Sequence, residues 1–82
     1  MSLAVFEDSP REFIRDRVLE VPTYIRDRVM QNRYLEPHER YSVDMLLWTI
    51  ADQVGEEYPN LEGGWKSRSK LIANYFLCNP LE

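Results

Sequence analysis

Apolar residues along this chain recur at helical spacing. The clearest stretch is Val43, Leu46, Leu47, Ile50, Ala51, Val54 and Tyr58, at offsets of 0, 3, 4, 7, 8, 11 and 15. Those offsets put all seven on one face of a helix. Ser42 stands in front as an N-cap, and Asp44 in the first turn suits the positive end of the helix dipole. Gly55 and Pro59 lie where such a helix should stop, so the spacing predicts a helix over 42–57.

Three more helices follow from the same reasoning. Ser9-Pro10-Arg11-Glu12 reads as a capping box: a serine N-cap, a proline at the first helical position, and a glutamate that can return a bond to the cap. It predicts a helix over 10–20 with Phe13, Ile14, Val18 and Val21 inward. Pro22 then disfavours helical geometry at Val21. A second helix is expected over 23–34, with Ile25 and Val29 inward and Tyr24 and Met30 flanking. Residues 35–41 read as a connector with room for a short helical turn from Pro37. Residues 58–66, with Gly63-Gly64, read as a loop. Ser67 then caps a fourth helix over 67–78, whose stripe is Leu71, Ile72, Tyr75 and Phe76. No glycine occurs before Gly55, which argues against tight hairpins. The expected fold class is all-α, a compact four-helix domain.

One internal echo crosses this pattern. Phe13-Ile14-Arg15-Asp16-Arg17-Val18-Leu19 returns eleven residues later as Tyr24-Ile25-Arg26-Asp27-Arg28-Val29-Met30. Eleven residues are close to three helical turns, but Pro22 stands between the copies and makes them two helices. Two short copies fall below the three that repeat architectures need.

Composition bounds the rest. Eighty-two residues, 44% of them apolar, make one domain spanning 1–82, with 1–8 expected to be flexible and 79–82 a tail. A single cysteine, Cys78, rules out an intrachain disulfide. No run approaches the length of a membrane span, and the N-terminus has no basic segment followed by an apolar run. The expectation is a cytoplasmic chain without a membrane partner. Net charge is −4, unevenly placed: residues 41–64 hold five acids and no base, while Lys66, Arg68 and Lys70 follow close behind. The simplest reading is internal, with the basic segment lying against the acidic one.

The candidate chemistry is sparse. On the third helix, at 100° per residue, Trp48 lies about 140° from Val43, Asp52 about 180° and Met45 about 200°. A tryptophan and a methionine beside Thr49 and Asp52, opposite the core stripe, have the composition of an interface anchor. Lys66, Arg68 and Lys70 gather at the start of a helix, where free backbone N–H groups could meet an anion. The arginines around Asp16 and Asp27 read as a solvated, self-paired face. His38 is the lone histidine, and Glu36, His38 and Glu39 do not make a metal site on spacing alone. No residue grouping calls for a cofactor, a metal or a catalytic centre, so a non-enzymatic module is expected.

That module is read as a small regulatory or adaptor protein that binds another protein chain, either a copy of itself or a different protein, through Met45, Trp48, Thr49 and Asp52. The alternative is a nucleic-acid-binding regulator using residues 65–70. It would be either a ribbon–helix–helix protein with a strand at Arg17 to Val21, or a helix-turn-helix protein formed from helices 42–57 and 67–78. The acidic balance and the long loop between those two helices count against it.

Overall fold

The computed structural model describes the backbone of residues 3–31 and 34–79, and side chains from residue 9 onward within that range. Among the described residues the chain forms four helices: α1 Leu3–Leu19, α2 Thr23–Gln31, α3 Pro37–Glu57 and α4 Trp65–Cys78. No strand occurs among the described residues. The fold is all-α, as the apolar spacing predicts.

Helix starts are where the structure departs from expectation. α1 begins at Leu3 rather than Pro10, so Ser9 is no N-cap and Pro10 lies inside the helix. A proline there forfeits a backbone hydrogen bond, at about 3 kcal/mol in a helix interior. The Pro10 ring is fully buried, and that packing offsets the loss. The Tyr58 hydroxyl also donates to the Ser9 carbonyl at 3.2 Å.

α3 begins at Pro37 rather than Ser42, absorbing most of the expected connector. Glu36 is extended, Pro37 occupies the first helical position, and the Glu36 N–H donates to Glu39 Oε1 at 3.2 Å. Ser42 is an interior residue whose hydroxyl donates to the His38 carbonyl at 3.0 Å. α4 begins at Trp65, two residues early. Its N-cap is Gly64, held at φ 92°, a left-handed conformation that favours glycine. α2 ends at Gln31, and Tyr34 lies outside it. Asn32 and Arg33, in the expected end of this helix, lie outside the described residues.

The core combines Ile14, Val18 and Val21 with Leu47, Ile50 and Val54 and with Ala73, Phe76 and Leu77. α4 packs on each of the other three helices, and α1 also packs on α3. α2 contributes no fully buried residue; Ile25 and Val29 reach the core only in part. α2 rests on α4 and stands off from α3.

The buried face of α4 differs from the expected stripe. Ser69, Ala73, Phe76 and Leu77 are buried and Ile72 is half-buried, whereas Leu71 is 71% and Tyr75 56% exposed. Small residues at 69 and 73, one turn apart, let α4 approach its neighbours closely, and this rotates the two bulky residues to the outside.

Candidate functional site

α3 and α4 run antiparallel, because Lys66 Nζ lies 2.9 Å from Asp52 Oδ1 and Lys70 Nζ lies 2.6 Å from Asp44 Oδ1. The basic segment therefore does lie on the acidic one. Between these two bridges sits Trp48, half-buried, with the Lys66 ammonium 5.4 Å and the Lys70 ammonium 4.4 Å from its ring centre. Ammonium groups at that range are drawn to the negative face of the indole. The helix geometry that puts Trp48 away from the core also turns it toward α4.

Met45, Thr49 and Asp52 lie on the solvent ridge of α3, all exposed. The Thr49 hydroxyl donates to the Met45 carbonyl at 2.8 Å, so its polar atom is spent within the helix. Around this ridge the structure adds apolar groups that the sequence reading did not place there. Tyr41, one turn before Met45, is 67% exposed, and Met45 itself 47%. Across the groove, Leu71 and Tyr75 project from α4 one turn apart. The groove between the helices is an open cleft of about 490 Å³, with Trp48, Leu47 and Leu71 on its walls and the Asp44–Lys70 bridge across it. Leu71 and Tyr75 were readable as helical, but their bulk argued for the core, and only the packing of Ser69 and Ala73 reverses that.

Of the three candidate anion-binding residues, Lys66 and Lys70 are held by aspartates, and Arg68 lies over the Trp65 ring at 5.0 Å. The segment Arg17 to Val21, which a ribbon–helix–helix protein would use as a strand, is the last turn of α1 and the bend after it.

Among the described residues, no three of His, Cys, Asp or Glu gather closely enough to hold a metal ion, and no helix is long and apolar enough to cross a membrane. Cys78 is exposed on the last turn of α4, its thiol 3.8 Å from Asn74 Oδ1. His38 lies in the first turn of α3. Beside it, Glu39 pairs with the Arg28 guanidinium of α2, and this hydrogen bond holds the Glu39 carboxyl below the usual carboxylate range. The same contact pushes Arg28 up. The pair ties α2 to the start of α3 in a region where the two helices stand apart. No protein-family model matches this chain, and neither a curated protein nor a solved structure does.

Proposed function

We propose that this chain is a non-catalytic protein-binding module whose contact face is the outer surface of α3 and α4, and that its occupant is a second copy of the chain. The observation that carries this reading is the row of exposed apolar side chains on two adjacent helices. Tyr41 and Met45 stand on α3, Leu71 and Tyr75 on α4, and Trp48 lies between them. Isolated exposed apolar residues are ordinary on a protein surface, whereas a grouped patch marks an interaction site.

Charge favours a copy as the occupant. The chain as a whole carries −4, so two copies repel at most orientations. This face holds two aspartates already matched by two lysines, and a balanced face lets two like molecules meet without that repulsion. A two-fold pairing would bury the same side chains on both copies.

Light scattering behind a size-exclusion column tests the reading. A dimer mass that falls to the 9.8 kDa monomer in Leu71→Asp and in Met45→Asp, with helical circular dichroism unchanged, is the expected result. A wild-type chain that stays monomeric at millimolar concentration sinks it.

The nucleic-acid reading is less well supported, because Lys66 and Lys70 are engaged by Asp52 and Asp44. Salt-sensitive binding of duplex DNA, lost in Lys66→Ala and Lys70→Ala, would restore it.

A further inference from the structure

α2 is held differently from the other three helices. The buried apolar core comes from α1, α3 and α4, with Val21 in the bend that leads into α2. No residue of α2 is fully buried, and its inner side chains, Ile25 and Val29, only lean on that core. Its backbone packs on α4 and on no other helix among the described residues. Toward α3 an open cleft of about 430 Å³ intervenes, with Ile25 on one wall and Val43 and Leu46 on the other. The other three helices therefore close a core to which α2 adds only a margin.

The tie between α2 and α3 is made by side chains. Arg28 Nε donates to Glu39 Oε2, with Arg28 exposed and Glu39 half-buried. Glu39 Oε1 meanwhile accepts the Glu36 N–H, so one carboxylate caps α3 and holds α2. On both sides of α2 the chain is irregular, at Glu20–Pro22 and at Tyr34–Glu36. An element with few buried contacts opens at a lower free energy than the whole fold.

We infer that α2 is a latch-held arm: it undocks as one unit while α1, α3 and α4 stay folded, and the Arg28–Glu39 pair sets how often it does so. Salt screens an exposed ion pair, so the arm answers to ionic strength. This device does not depend on the role of the α3–α4 face.

Native-state hydrogen exchange of the full chain, followed amide by amide in low urea, tests the inference. The amides of Asp27 to Gln31 should share one opening constant, about tenfold or more above those of Leu47, Ile50, Val54 and Leu77. That shared opening should grow with urea, but less steeply than the opening of the core, because less surface is exposed. Glu39→Gln keeps an acceptor for the Glu36 N–H and removes the charge. It should raise the α2 opening about threefold at low salt, the scale of one surface ion pair, and by less at high salt. Four results overturn the inference: α2 amides that exchange at the core's rate, α2 amides without any protection, protection graded residue by residue with no urea dependence, or a Glu39→Gln variant whose α2 exchange is unchanged.

Discussion

Lys70 is bonded twice over: its ammonium lies 2.6 Å from Asp44 Oδ1 and 4.4 Å from the centre of the Trp48 ring. Both partners are on α3, so a single side chain of α4 fastens the two helices on the outer side of their seam. Each contact is modest. An ion pair this accessible contributes about 0.2–1 kcal/mol, and a partly exposed cation–π contact about 0.5–1.

Lys70→Met keeps the stem against the indole and removes the charge. We expect a loss of about 1 kcal/mol in urea unfolding at low salt. At high salt the gap between wild type and variant should narrow, because screening weakens the ion pair only in the wild type. A gap that is the same at both salt concentrations would show that Lys70 acts through packing alone.

Ser69 is fully buried and its hydroxyl has no partner among the described residues. An unsatisfied buried polar group costs about 1–3 kcal/mol, part of which Ser69→Ala removes without opening a void of any size. The alanine variant should unfold at equal or higher temperature than the wild type. Ser69→Leu should lower stability by about 1–3 kcal/mol through overpacking. A marked loss in Ser69→Ala would mean that the hydroxyl is bonded in solution.

Glu39 predicts the acid limb of stability. Its carboxyl titrates below its ordinary value of 4.5 because Arg28 donates to the ionised form. The folded value is depressed, so this contribution is present above the unfolded value and disappears as pH falls through the folded one. Glu39→Gln should therefore lower stability at neutral pH and flatten the decline below about pH 4.5. Arg28 shifts upward from a value already far above neutrality, so it adds no pH dependence in this window. Urea midpoints measured between pH 3 and 7 would decide the matter; parallel curves for the two proteins would rule out the pairing.

Tyr58 links the end of α3 to α1 through its hydroxyl and through an edge-on contact with Phe13, ring centres 5.8 Å apart. Tyr58→Phe removes only the hydrogen bond. A loss of about 0.5–1.5 kcal/mol is expected, measured as a shift in the unfolding midpoint. No change would mean that the Ser9 carbonyl is as well served by water.

The two proline-glutamate motifs show how far local grammar reads. Ser9-Pro10-Arg11-Glu12 and Glu36-Pro37-His38-Glu39 share a residue able to cap, a proline at the next position and a glutamate three beyond the cap. Serine is the better cap by propensity, so the first predicts a helix start and the second a connector. The structure runs α1 straight through the first and extends the short helical turn expected from Pro37 into the start of α3. Residues 3–8 contain no glycine or proline to halt a helix, and a buried ring at Pro10 is a tertiary fact that no local rule contains.

The periodic core of α3 was legible because its apolar positions are many and regular. The buried face of α4 was not, because it is defined by Ser69 and Ala73, residues whose merit is small size next to a neighbour. For the same reason Met45 and Trp48 were readable as lying off the core, while the Leu71 and Tyr75 half of the proposed face was not.

The packing of α4 on every other helix sets an order for biosynthesis. α4 comes after the other three in sequence, and it supplies Ala73, Phe76 and Leu77 to the shared core. While a ribosome has released only the first three helices, Ile14, Val18 and Val54 have no lid, and α2 has no helix to rest on. Without α4 the chain therefore lacks the residues that close its core, and the cooperativity of the fold depends on α4 being present. A premature stop in the Gly63-Gly64 loop would release a substrate for chaperones and proteases in place of a smaller folded protein.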